Sequence, residues 1–101
     1  MRMLVRVTIP HETFNAAVRD GSAGRKLNAI LQDIKPEAVY FLEFGGHRTA
    51  VLVVDLPDVS RLPAIAEPWF LTFNADVEVH PTMSPDDLAK AGLEALGKKW
   101  A

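Results

Sequence analysis

The chain has 101 residues, 49% of them hydrophobic and 24% charged, with a formal net charge of −2. That balance fits one folded domain with an ordinary core and excludes a disordered segment. No Lys/Arg cluster is interleaved with aromatics, which argues against a nucleic-acid interface, and the absence of cysteine rules out disulfides, thiol nucleophiles and thiolate metal sites.

The longest unbroken apolar run, Ala50 to Val54, is far short of the ~20 residues that cross a bilayer. Arg6 interrupts the N-terminal apolar segment and no small-residue cleavage site follows. The expectation is therefore a cytoplasmic protein with neither signal peptide nor membrane partner. The expected domain organisation is one unit over 1–101, with a core over 1–82 and a C-terminal helix and tail over 83–101.

Met3, Val5, Val7 and Ile9 alternate with Leu4, Arg6 and Thr8, the period of a half-buried strand. Pro10 has no N–H to give a ladder and suits the first turn of a helix. Between His11 and Ile34 there are two apolar stripes, Phe14-Ala17-Val18 and Leu27-Ile30-Leu31-Ile34. On one continuous rod they would fall on nearly opposite sides. A break near Gly21 and a second helix over 24–33 let both face one core. Lys35-Pro36 closes the unit, because the residue before proline resists helical ψ.

Val39 to Phe44 and His47 to Val54 flank the pair Gly45-Gly46. This is the form of a β-hairpin, since primed two-residue turns need positive φ. Both alternating sets of this hairpin are apolar, so both of its faces require cover. Leu62, Ile65, Ala66, Trp69, Phe70 and Phe73 then recur at helical spacing. Ser60 or Asp58 caps that helix, Pro68 lies on its outward side, and Asn74 ends it. Val77 and Val79 alternate with Asp76, Glu78 and His80 in a last strand stopped by Pro81. Ser84-Pro85-Asp86-Asp87 carries the signals of a helix start. The predicted C-terminal helix has a narrow face of Leu88, Gly92, Ala95 and Leu96 and ends at Gly97. Trp100 is expected to dock on this chain or on a second subunit.

The predicted order β-α-β-β-α-β gives an α+β fold, the ferredoxin-like split unit. Right-handed crossovers place its four antiparallel strands in the order 4-1-3-2, with helices on one face and the extra helix at the C-terminus. The uncovered face is then polar on the outer strands and apolar on the hairpin. A patch of that kind marks an interface, and a homodimer through the sheet faces is its simplest cover.

The run Lys35-Pro36-Glu37-Ala38-Val39-Tyr40-Phe41, the segment Ala66-Glu67-Pro68-Trp69-Phe70 and the element order together resemble the dimeric α+β-barrel superfamily. Within it, the chain is most similar to small bacterial proteins of unknown function. The resemblance covers roughly residues 1–82. It implies a homodimer with a pocket for a small organic ligand between sheet and helices. The superfamily includes monooxygenases with and without heme, lactone isomerases and ligand domains of transcription factors. The chain carries neither the His-Asp pair of the dehydratase-like members nor a heme-ligand context, so no cofactor is implied.

Six residues stand out as candidates for ligand contact. Glu78 and His80 lie two apart on one strand face, a spacing that can offer two ligands to one metal. A cross-strand ion pair between Arg6 and Glu78 accounts for them better, and no metal site is assigned. Tyr40 and Glu43 fall on opposite faces of one strand. Glu43, amid Phe41, Leu42 and Phe44, is either a general acid or base in apolar surroundings or a strand-end carboxylate that reaches water or Arg48. Trp69 belongs to the core or to the wall of a cleft. His47 and Arg48, beside the turn, form an exposed tip that can meet an anion. The loop Gly21 to Gly24 precedes a helix bearing Arg25 and Lys26, whose N-terminus can meet an anion, but the run Gly21 to Lys26 lacks phosphate-loop spacing. Three functions follow: a small-ligand-binding homodimer, a non-catalytic interaction module, or a cofactor-independent enzyme of the monooxygenase or isomerase kind.

Overall fold

The computed structural model describes all residues, 1–101. Strand β1 (Arg2–Ile9) and strand β3 (His47–Asp55) form the centre of a four-stranded sheet. Strand β2 (Ala38–Phe44) pairs outside β3, and strand β4 (Asp76–Pro81) pairs outside β1. All pairings are antiparallel, in the order β2-β3-β1-β4. This is the expected 4-1-3-2 order read from the other edge.

Register assigns each side chain to a face. Met3, Val5 and Val7 lie opposite Val54, Leu52 and Ala50. All six are buried. They form one core with Ala17 of helix α1 (His11–Asp20), Ile30 of helix α2 (Ala23–Ile34), and Ile65, Trp69 and Phe73 of helix α3 (Leu62–Phe73). The three helices therefore cover one face of the sheet. Trp69 and Phe73 are the largest fully buried side chains, and the Trp69 indole N–H has no acceptor in its buried site. An unpartnered buried donor of this kind costs roughly 1–3 kcal/mol.

The local signals act where the sequence put them. The first helical unit breaks at Gly21, and Ser22 N–H then donates to Ala17 O at 2.9 Å and to Asp20 Oδ1 at 2.8 Å. Lys35 closes α2 in a left-handed conformation before Pro36, where helical backbone is disfavoured. Gly45 and Gly46 have φ of 60° and 80°, the pair of positive values a type I′ hairpin turn requires. Asp58 caps a 3-10 turn (Val59–Arg61) that leads into α3, accepting from Ser60 N–H at 2.7 Å and Ser60 hydroxyl at 2.6 Å. Helix α3 runs through Pro68. Pro68 is not free on the outside: it is half-buried in a shallow groove beside Ala29, Ile30 and Thr72.

The C-terminal region corrects the sequence reading. Instead of one helix ending at Gly97, there are two short ones, α4 (Pro85–Ala89) and α5 (Leu93–Lys99). The start is as expected. Ser84 and Asp87 form a reciprocal capping box, with Ser84 N–H donating to Asp87 Oδ2 at 2.9 Å and Asp87 N–H to Ser84 Oγ at 3.1 Å. The break falls at Gly92, whose φ of 73° is left-handed. Glycine is the weakest helix former after proline, and here no packing holds it helical. Gly97 lies inside α5. Trp100 does not dock on its own chain; it is 78% exposed.

Every residue from Pro85 to Ala101 is exposed, so α4 and α5 form an arm. The radius of gyration is 16.9 Å, against about 13 Å for a closed chain of this length. The accessible surface is 6957 Å², against about 5,700 Å² for a self-contained monomer of this mass. No helix is long and apolar enough to cross a membrane.

Candidate functional site

The six candidate residues divide among three places. Arg6, Tyr40, Glu78 and His80 lie on the face without helices. Glu43 lies on the helix side of the same sheet, because it is three residues from Tyr40 on one strand. Trp69 lies in the interior, fully buried, and lines no cavity. Glu43 and His80 therefore cannot serve one reacting centre within a single chain.

On the bare face, Tyr40, Leu42 and Phe44 of β2 are 71%, 43% and 56% exposed. Half-buried Val51 and Val53 of β3 and Leu4 of β1 extend the apolar area inward. The polar border is the set the sequence indicated. Arg6 lies opposite Glu78 in register, and its Nε donates to Glu78 Oε2 at 2.6 Å. Its Nη2 meets the same oxygen. The other Glu78 oxygen is 4.0 Å from His80 Nε2. The Arg6 guanidinium also lies 4.9 Å from the centre of the Phe44 ring. One arginine thus joins the charged edge to the apolar patch by an ion pair on one side and a cation–π contact on the other. No group of three or more His, Asp or Glu side chains comes together in a way that could hold a metal ion.

The cavity that could receive a small molecule lies on the helix side, at the hairpin end. It holds about 450 Å³ between the tips of β2 and β3 and the helices α1 and α2. Ile9, Phe14, Leu27 and Phe41 supply its apolar wall and Glu43 and Arg48 its charged groups, while Leu42 and Thr49, which face the other side of the sheet by register, border it along the strands. The space exists because β2 outruns the helices: Phe41, on the covered side by register, still keeps 52% of its surface.

Arg48 is held in that space by two contacts. Its Nη1 donates to Asn15 Oδ1 at 2.7 Å, and its guanidinium lies 4.8 Å from the centre of the Phe14 ring. No carboxylate forms an ion pair with it. Glu43 faces Arg48 across the strands, but its Oε1 accepts from Gly46 N–H at 3.0 Å and so closes the turn. Next to the turn, the His11 and His47 rings stack with centroids 4.7 Å apart, linking the start of α1 to the hairpin.

Sequence reasoning missed the pocket as a unit. Phe14 and Leu27 were read only as core stripes, and Asn15 was not singled out. Arg48 was read as part of an exposed tip, whereas it is half-buried. A signal was present. Arg48, Ala50, Leu52 and Val54 are the alternating set of β3 that faces the helices, so a cation stood in a row of core positions.

No protein-family model matches the chain, and no curated protein is significantly similar to it.

Proposed function

We propose that the chain is a ligand-binding homodimer of the dimeric α+β-barrel kind, with a ferredoxin-like protomer. In this reading two copies meet through their helix-free sheet faces, and each keeps a small organic molecule in the cavity at its hairpin end. The observation that carries it is the uncovered patch of Tyr40, Leu42 and Phe44. Three large apolar side chains side by side on a β-sheet, rimmed by charge, are what a partner's surface is built to cover.

Two further features support a second copy as that partner. The chain carries an accessible-surface surplus of about 1,300 Å² over a self-contained monomer, more than the roughly 800 Å² that one partner contributes to a standard interface. The arm adds apolar surface of its own: Leu93 and Leu96 share one side of α5, Trp100 follows at its C-terminal end, and all are exposed. An isologous dimer gives every such surface two chances of cover, since each copy brings both the sheet face and the arm. The arm also favours the second reading, an interaction module in which association is the whole purpose.

Native mass spectrometry of freshly purified protein tests the proposal. The expected spectrum is that of a dimer, with an added small-molecule mass per subunit that disappears on denaturation. A monomer at micromolar concentration contradicts the proposal; a dimer with no retained mass under any gentle condition favours the interaction module.

A further inference from the structure

Resting on the ligand-binding reading, we propose that the hairpin-end cavity takes an apolar monocarboxylate, with Arg48 as the residue that binds its carboxylate. The argument begins with charge. Arg48 is half-buried and has no carboxylate partner. The other two strand arginines are paired, Arg2 with Glu37 and Arg6 with Glu78. Taking a cation partly out of water without an anion is costly, and a ligand anion removes the cost.

The geometry leaves the guanidinium ready for this. Arginine offers five N–H donors in a planar fork. One of them goes to Asn15, a neutral acceptor that holds the group without neutralising it. The Phe14 ring lies against the guanidinium, 4.8 Å from its carbon to the ring centre. Two parallel N–H···O bonds to a carboxylate are the pairing this fork is shaped for. The carboxylate best placed to compete, that of Glu43, is engaged by Gly46 N–H at the turn.

The walls define the rest of the ligand. Ile9, Phe14, Leu27 and Phe41 line a volume of about 450 Å³. This is within the range of small-molecule sites, where apolar walls take the body of a ligand and a few polar groups orient it. The cavity carries one free cation, Arg48, and one carboxylate, Glu43, already bonded to the turn at Gly46 N–H, so its apolar wall and single fork of donors match one negative charge on a hydrocarbon or aromatic body. It does not match a polyphosphate, which needs several donors and a wet site.

The test compares acids with their neutral isosteres. Phenylacetate with phenylacetamide, and hexanoate with hexanamide, are titrated into the 101-residue chain while amide resonances of Phe14, Phe41 and Arg48 are followed by NMR. The expected result is that the acids move these resonances and bind at least tenfold more tightly than the amides. Arg48→Met should abolish the preference, and Arg48→Lys should keep part of it. The acid–amide comparison in the unmodified protein stands even if a variant fails to fold. Equal binding of acid and amide overturns the role of Arg48 while leaving the cavity a ligand site. Absence of any shift with all four probes overturns this inference; the ligand-binding reading is decided separately, by whether native mass spectrometry finds a retained small molecule. A dimer measured in the same sample by translational diffusion leaves the interaction-module reading standing.

Discussion

On the helix side of the sheet Val5, Val7, Ala50 and Leu52 have no accessible surface, whereas on the other side Tyr40, Leu42 and Phe44 retain 71%, 43% and 56% of theirs. The two sets belong to one sheet and are apolar alike. What separates them is cover. Helices α1, α2 and α3 all contribute to one core, and nothing in the chain reaches the other side. The contrast also runs along the chain. Helix α3 is held by burying Ile65, Trp69 and Phe73, whereas α4 has only its capping box and α5, without a side-chain cap, only its own backbone bonds and an exposed Glu94–Lys98 pair. Short helices without tertiary packing are marginal in water. The difference teaches that the folded body and the surfaces left over have separate energetics: one sets the stability of a single copy, the other sets what that copy binds.

That separation can be broken by experiment. The largest expected effect is on the covered side. Trp69→Ala should cost about 3–5 kcal/mol of unfolding free energy, read by urea denaturation, because it empties the largest buried site. On the bare side, Leu42→Asp should change the stability of the single copy by no more than about 0.5 kcal/mol. It should weaken self-association about a hundredfold, as a charge placed at the centre of an apolar interface does. Sedimentation equilibrium reads the second quantity. If Leu42→Asp unfolds the single copy instead, the two sides are not separable.

Removing residues 83–101 should act in the same sense but less strongly. The urea midpoint of the body is expected to stay within about 0.5 kcal/mol of the full chain, since the arm is exposed throughout. The dimer should weaken roughly tenfold through loss of the apolar surface of Leu93, Leu96 and Trp100.

The smallest effect is a local one with pH. Ser84 N–H and then its hydroxyl hold the Asp87 carboxyl below its ordinary value of 3.8. An acid whose pKa is lower in the folded state stabilises that state above the unfolded value and loses the contribution as pH falls through the folded one. Helix α4 should therefore fray below about pH 3.8, before the sheet responds, as followed by amide chemical shifts of Asp87 and Leu88. Loss of α4 and the sheet in a single step would contradict the independence of the arm.

Much of the body was legible in the sequence because its signals are local. Alternation in Met3 to Ile9, the Gly45-Gly46 turn and the helical stripe through Trp69 each fix an element before any tertiary contact forms. The Arg6–Glu78 pair was legible for the same reason, since strand order and register follow from the elements. The arm was misread because Gly92 can stand inside a helix or break one, and only packing decides; there is none. The pocket was misread because it depends on how far the helices reach along β2. Sequence periodicity assigns Phe41 and Arg48 to the covered face but carries no information on where the cover stops.

The central claim, that a second copy covers the bare face, is tested most directly by isotope-filtered NOE measurement on a mixture of labelled and unlabelled chains. The account predicts contacts between copies that include the Tyr40 and Phe44 rings and the Leu42 methyl groups. A spectrum with no inter-copy contacts at those side chains, at concentrations where sedimentation reports a dimer, would mean that the copies join elsewhere and would contradict it.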